Sequence, residues 1–274
     1  MLILDQIYCM DNLIGCKFLD DNSVDLTVTS PPYDDLRTYK GSVWNFEKLA
    51  KELYRVTKLG GVVVWVVGDS TVHGDETGTS FKQALFFKSI GFKLHDTMIY
   101  EKNGPNYPSK NRYYSIFEYM FVFSKGIPKT FNPLQDRKNR WFGQKWSKIR
   151  TRKQKNGEVT RETWIESQGQ EYGTRFNIWR YNVGHKYTAS DLLATKHPAP
   201  FPEALAQDHI LSWSNKGDLI LDPFVGSGTT AKMAMLNGRH YIGFDSSQEY
   251  CDDAENRIET AIYGEWITIE RDAK

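Results

Sequence analysis

Cysteine is scarce in this 274-residue chain: Cys9, Cys16 and Cys251 are the three, and none stands in a Cys-x-x-Cys pair. A disulfide framework and a structural zinc site are therefore both unexpected, no metal is expected, and a reducing cytoplasm is the expected compartment. Long apolar runs are lacking too. The longest, Val62–Val67, is far short of a bilayer-spanning helix. The start, Met1-Leu2-Ile3-Leu4-Asp5, lacks the basic end and long apolar stretch of a signal peptide, so no membrane partner is expected. Internal repeats and low-complexity segments are also missing. What is present is the composition of a globule, 40% hydrophobic and 25% charged, with enough chain for one large domain or two modest ones.

A net charge of +1 conceals an asymmetry. Residues 137–161 hold ten Lys/Arg against one acid, Glu158, and that +9 leaves the rest of the chain at −8. A basic block on an acidic body suggests a polyanion met at one face. The bland alternative is a solvated loop.

The first 125 residues read as alternating strands and helices: strand 2–8, helix 12–19 capped by Asp11 or Asn12, strand 24–29, helix 46–58, strand 62–67, helix 81–90, and strands 92–101 and 116–124. Periodicity is lost from Gly126 to Ala189, a stretch holding four of the eight tryptophans and the basic block, which reads as an inserted module because linkers are poor in tryptophan. Regular structure resumes with helix 202–213, strand 219–221, helix 229–236, strand 240–244 and helix 248–261. This alternation predicts an open parallel sheet with helices on both faces, and ligands bound at the carboxyl ends of strands where strand order reverses.

Two predicted strands end in unusual loops. The first loop is Asp222-Pro223-Phe224-Val225-Gly226-Ser227-Gly228-Thr229-Thr230. Gly226 and Gly228 let the backbone approach a ligand, and the following helix offers free N–H groups. A phosphate-cradling loop needs Gly-Lys-Ser/Thr, which is absent, and a dinucleotide fingerprint needs a third glycine where Ala231 stands. A third pattern sets one carboxylate, Asp222, at the strand end and another, Asp245, at the end of the next strand, placed to accept hydrogen bonds from a ribose. That pattern favours a nucleoside with an amino-acid-like tail. The structural alternative makes Asp245 a helix cap and the glycines a tight turn.

The second loop is Thr29-Ser30-Pro31-Pro32-Tyr33. Two prolines stiffen it and remove two N–H groups, leaving its carbonyls as acceptors. Ser30 adds a hydroxyl and Tyr33 an aromatic face, a set that suits a planar ring bearing an exocyclic NH2. A rigid turn beside a core tyrosine is the alternative.

Together these loops resemble the catalytic and S-adenosylmethionine-binding motifs of bacterial and phage DNA amino-methyltransferases, in the permuted order, catalytic motif first, of the β group. Ser23-Val24-Asp25-Leu26, Ser115-Ile116-Phe117-Glu118-Tyr119 and His197-Pro198-Ala199-Pro200-Phe201-Pro202 resemble further family segments. The resemblance implies a Rossmann-like α/β methyltransferase sheet with circularly permuted motif order. It divides the chain into a catalytic half (1–125), an inserted target-recognition region (126–190) and a cofactor-binding half (191–274). Ser30, Pro31, Pro32 and Tyr33 become the catalytic loop. Asp222, Phe224, Gly226, Gly228, Thr229 and Thr230 become the cofactor loop, with Asp245 on the ribose, Asp11 on the adenine or capping its helix, and His197 beside the cofactor or merely structural.

The reaction so implied is direct transfer of a sulfonium methyl to an exocyclic amine in double-stranded DNA, with the base flipped out. No Pro-Cys pair of the kind used by C5-cytosine enzymes is present. The Ser-Pro-Pro-Tyr form resembles N4-cytosine enzymes, with N6-adenine the alternative. The basic residues Arg137, Lys138, Arg140, Lys145, Lys148, Arg150, Arg152 and Lys153, with Arg112 in a nearby loop, then read as DNA contacts. A cognate restriction endonuclease acting separately would suit such an enzyme, as monomer or homodimer. A cofactor-binding, non-catalytic DNA-binding protein is disfavoured by the intact catalytic loop, and a nicotinamide oxidoreductase by the missing third glycine.

Overall fold

The computed structural model describes residues 2–32, 44–104, 111–140, 142–143, 148–164, 170–184, 188–191 and 202–271, without the side chains of 148–150, 161–164 and 264–271. The chain begins with β1 (Gln6–Cys9), α1 (Asn12–Lys17) and β2 (Val24–Thr29). Asp11 caps α1, its Oδ1 accepting from the Leu13 and Ile14 N–H groups at 2.9 and 3.1 Å. α2 (Phe46–Val56) is capped by Asn45 and buries Leu49, Ala50, Leu53 and Val56, the apolar positions of its helical repeat.

It leads into β3 (Thr57–Val67), followed by the short hairpin β4 (Thr71–Val72) and β5 (Asp75–Glu76). α3 (Thr79–Ser89) starts after Gly78, and Asp69 caps it from a distance by accepting from the Ser80 N–H at 2.8 Å. β6 (Lys93–Lys102) and β7 (Phe117–Ser124) follow, then the small strands β8 (Arg137–Lys138), β9 (Lys148–Lys153), β10 (Val159–Trp164) and β11 (Tyr172–Gly173). The chain closes with β12 (Ile178–Tyr181), α4 (Glu203–Trp213), β13 (Leu219–Asp222), α5 (Thr229–Leu236), β14 (His240–Asp245) and α6 (Gln248–Arg271).

Eight strands form one sheet in the order β1-β14-β13-β2-β3-β7-β6-β12. The sheet is not purely parallel as expected: β7 runs antiparallel to both β3 and β6, while every other neighbouring pair is parallel. The cause is local. Parallel pairing of consecutive strands needs a crossover connection, usually a helix, and none stands between β6 and β7 among the described residues.

β3 is the sheet's spine. Val62 through Val67 are each no more than 1% exposed, as a strand covered on both faces requires. Val63, Trp65 and Val67 join the cluster formed with Leu49, Leu53, Phe87 and Phe123. The alternate positions Val62, Val64 and Val66 point to the opposite face.

Strand order reverses between β2 and β13. From β2 the chain builds outward to β3, and from β13 it builds the other way to β14, so the carboxyl ends of β2 and β13 flank the switch point.

Residues 133–176 form a second compact unit, and all the rest form the first. The separate unit is thus narrower than the 126–190 expected. Trp179 lies outside it, on the edge strand β12, which pairs in parallel with β6 and alternates exposed and buried positions over Ile178–Tyr181. Within the unit, β8 pairs with β11 and β9 with β10, both antiparallel. Among the described residues no helix is long and apolar enough to cross a membrane.

Candidate active site

The two loops singled out in the sequence follow adjacent parallel strands. β13 pairs with β2 in the register Ile220↔Leu26 and Leu221↔Thr27, which brings Asp222 level with the end of β2. There the Thr29 hydroxyl donates to Asp222 Oδ1 at 2.6 Å. The same oxygen accepts the Phe224 N–H at 3.1 Å, and the Thr230 hydroxyl donates to the Val28 carbonyl at 3.1 Å. Residues far apart in sequence are thereby locked into one ridge at the switch point.

Asp222 is 2% exposed, and burial pushes its pKa up to about 6 against the lowering pull of the Thr29 hydroxyl and the Phe224 N–H. A carboxylate withdrawn from water this far is held by its hydrogen bonds. Removing one donor would leave a buried acceptor short, a penalty of about 1–3 kcal/mol.

Asp245 ends β14, next along the sheet. Its Oδ2 accepts the Gly226 N–H at 3.1 Å and its Oδ1 the Ser247 N–H at 2.9 Å. It serves the helix-entry turn and braces the glycine loop at once. Burial raises its pKa while those backbone donors oppose the rise.

Gly228 opens α5 with φ of +78°, and a Cβ built there would stand 2.8 Å from the Ala254 Cβ of α6. Only glycine combines that left-handed backbone with such close packing. Gly226 also adopts positive φ, at +49°.

Beyond β1, exposed Asp11 caps α1, and its neighbour Asn12 is 8% exposed and donates through Nδ2 to the Pro223 carbonyl at 3.3 Å. The Asn12 Oδ1 has no hydrogen-bond partner among the described residues. A buried acceptor left open beside the glycine loop fits a ligand that brings N–H donors. Residues 222–230 contain no Lys or Arg to meet a diphosphate. Carboxylates at the ends of β13 and β14, an open amide oxygen and an uncharged glycine loop together suit the amino, ribose and adenine groups of S-adenosylmethionine.

Aromatic rings flank the loop. Phe224 meets Trp44 edge-on at 4.8 Å between centroids, and Trp65 stands 6.4 Å away, its Nε1 donating to Gln83 Oε1 at 2.8 Å. Sequence reasoning missed Trp44 and Asn12. Trp44 was detectable as the apolar residue just before the Asn45 cap, at hydrophobic-staple spacing from Leu49.

Of the catalytic loop, Ser30 and Pro32 are half-buried and Pro31 is buried. Tyr33, His197 and Lys145 lie outside the described residues, as do the side chains of Lys148 and Arg150. Arg112 is tied to the β4–β5 hairpin, donating to Thr71 Oγ1 at 3.0 Å and to the Gly74 carbonyl at 2.5 Å. In the small unit, Arg137 donates to the Thr174 carbonyl at 3.0 Å and lies over the Phe176 ring at 4.6 Å. Lys138, Arg140, Arg152 and Lys153 are exposed.

A family model described as DNA methylase, covering N6- and N4-directed enzymes, matches residues 24–256. The orphan methyltransferase M.BamHII of Bacillus amyloliquefaciens is 61% identical over 245 residues, covering 89% of this chain and 92% of that protein. Among solved structures, the PvuII DNA methyltransferase (cytosine-N4-specific) superposes with a TM-score of 0.65 at 20% identity, over 92% of this chain and 85% of that one. A putative DNA modification methylase of Thermus thermophilus, complexed with S-adenosyl-L-methionine, gives 0.61 at 21% identity over 94% and 96%. At such identities the two structures establish a shared fold.

Proposed function

The chain belongs to the N6/N4 DNA methylase family, and from that premise we propose that it methylates the N4 amine of cytosine in duplex DNA with S-adenosylmethionine as methyl donor. The observation that carries this reading is the Thr29–Asp222 hydrogen bond, which joins an amine-accepting loop to a nucleoside-type glycine loop at the switch point. When bound, S-adenosylmethionine supplies a methyl group on a sulfonium centre. Asp245, Asp11 and the open Asn12 oxygen hold its donors, and Phe224 with Trp44 forms an apolar wall.

Ser30 Oγ and the Pro31 carbonyl accept the two amine hydrogens of the target base. Those bonds draw the nitrogen lone pair out of ring conjugation and aim it at the methyl group. Tyr33 stacks on the ring. A base inside a duplex cannot reach this loop, so it is flipped out, at a few kcal/mol of unstacking, and Tyr33 stacking returns about 1–3 kcal/mol. The methylated amine is cationic and strongly acidic, so it loses its proton without a dedicated base. Catalysis then comes from positioning and preset acceptors. Ser30 at the head of the loop favours cytosine N4.

The exposed cations of residues 133–176 supply phosphate contacts that position the duplex. The relative at 61% identity is named an orphan methyltransferase, which supports a reading in which this chain, too, acts without a paired endonuclease. The test is incubation with methyl-labelled S-adenosylmethionine and unmethylated duplex DNA of mixed sequence, followed by nucleoside mass spectrometry. N4-methylcytosine is expected. N6-methyladenine would keep the mechanism and overturn the base, and bound cofactor with no label in either base would overturn the reading.

A further inference from the structure

Behind the glycine loop lies a charge cluster that none of the motifs above includes. Arg257 of α6 has a side chain with 0% exposure, unusual for an arginine. Its Nη1 donates to the Ser227 carbonyl, to Ser227 Oγ at 3.2 Å and to Thr229 Oγ1 at 3.2 Å. Its Nε reaches both Asp191 carboxylate oxygens at 3.0 Å, and its Nη2 donates to Glu203 Oε1 at 2.8 Å. Lys232 of α5 completes the cluster, donating to Asp191 Oδ2 and Glu203 Oε1 at 2.7 Å each. Two cations thus balance two carboxylates.

Burial pushes the Glu203 carboxyl up, but the hydrogen bonds from Lys232 and the Ser190 N–H outweigh it and hold the pKa below the ordinary value. The carboxylate therefore stays charged where Arg257 needs it.

Ala254 and Arg257 are three residues apart on α6 and so share a face. Ala254 packs against Gly228, and Arg257 binds the residues on either side of it. Glycine gives this loop its close approach at the expense of stiffness, since it restricts the backbone least of all residues. A planar guanidinium with several fixed donors can restore that stiffness as a single ammonium cannot. Fixing the Ser227 carbonyl settles which way the neighbouring peptide units of the glycine loop face.

We propose that Arg257, anchored by Asp191 and Glu203, is a positioning residue that presets the Ser227–Thr229 backbone for S-adenosylmethionine. The proposal rests on the cofactor reading above and adds a residue to it: Arg257 acts through the loop and touches neither the cofactor nor the base. An unbraced loop must be ordered on binding, so loss of Arg257 weakens cofactor affinity more than it slows chemistry at saturation.

The test is calorimetric titration of S-adenosylmethionine into the wild-type protein, Arg257→Lys, Arg257→Gln and Asp191→Asn, with kcat and cofactor KM for DNA methylation measured in parallel. Arg257→Lys keeps the charge but loses the fork, and Asp191 lies at the cluster's partly exposed edge, so these two keep the test readable if Arg257→Gln fails to fold. The expected result is a Kd and a KM raised about tenfold in Arg257→Lys and a few-fold in Asp191→Asn, with kcat reduced less than about threefold. Wild-type affinity within about twofold in both folded variants would overturn the proposal, as would a fall in kcat with Kd and KM unchanged. If the wild-type protein itself binds no S-adenosylmethionine, the cofactor reading falls and this inference with it.

Discussion

The switch-point body and the unit 133–176 hold their polar residues in opposite ways. In the body, Asp222, Arg257 and Lys232 are nearly sealed from water; Arg257 and Lys232 each engage Asp191 and Glu203, and Asp222 accepts from distant Thr29 as well as from its neighbour Phe224. In the small unit, Arg152, Lys153 and Lys155 stand exposed on a two-stranded ribbon, with every residue from Thr151 to Val159 exposed as well. A two-stranded ribbon is marginal by itself. The body therefore holds its charged groups in a geometry that water does not disturb, whereas the ribbon leaves its described cations exposed to solvent. Substitutions should separate accordingly, with stability and chemistry changing together in the body and DNA affinity changing alone in the small unit.

The largest effect is expected at the base-facing loop. Tyr33→Ala should lower kcat/KM for DNA methylation roughly ten- to hundredfold, the equivalent of one lost base stack, with S-adenosylmethionine affinity retained. Paired kinetics and calorimetry check this, and equal losses in both would place Tyr33 in the cofactor site instead. Next comes Thr29→Val, which strips a donor from buried Asp222. It should destabilise the protein by about 1–3 kcal/mol, seen as a lower Tm, and reduce methylation as well.

The third expectation concerns pH. A carboxyl whose folded pKa stands above its unfolded value keeps its proton more readily in the native state. The stability this gives is present near pH 4 and is lost as pH rises through about 6. Asp222→Asn should therefore flatten the fall in stability over that window by about 3 kcal/mol at most, as read by denaturant melts at pH 4 and pH 7. Asp245, shifted the same way by burial, leaves a residual slope in the variant. An unaltered profile would mean that Asp222 is ionised normally.

The smallest effects belong to the ribbon. Arg152→Ala and Lys153→Ala should each reduce the slope of log affinity against log salt by about one, with no change in Tm. Filter binding over a salt series measures this, and an unchanged slope would remove these residues from the DNA face.

Legibility in the sequence followed the same division. β3, α5 and the two loops were readable because each rests on local chemistry: a continuous apolar run, a glycine at a helix entry, prolines that fix φ. Asp245 was readable as a strand-end acid, although its bonds to Gly226 and Ser247 give it a bracing role that spacing alone does not reveal. The Thr29–Asp222 bond was not readable, since it depends on β13 inserting beside β2, and strand order is a long-range outcome. Arg257 was hidden for the same reason: on acidic α6 it looks like a solvated cation until Asp191 and Glu203 are brought to it. The antiparallel β7 was missed because the overall strand–helix alternation was carried across two consecutive strands, 92–101 and 116–124, that have no predicted helix between them. Tryptophan content and charge predicted an insert over 126–190, and the limits of the small unit at Pro133 and Phe176 left no compositional mark.

The most direct test of the two loops acting as one site is a double-mutant cycle between Thr29→Val and Asp222→Ala, read as kcat/KM for label transfer from methyl-labelled S-adenosylmethionine to DNA. If the hydrogen bond holds amine loop and cofactor loop in register, the two losses overlap, with a coupling energy of about 1 kcal/mol or more. Strictly additive losses would show that the loops act independently and would contradict a single site at the switch point.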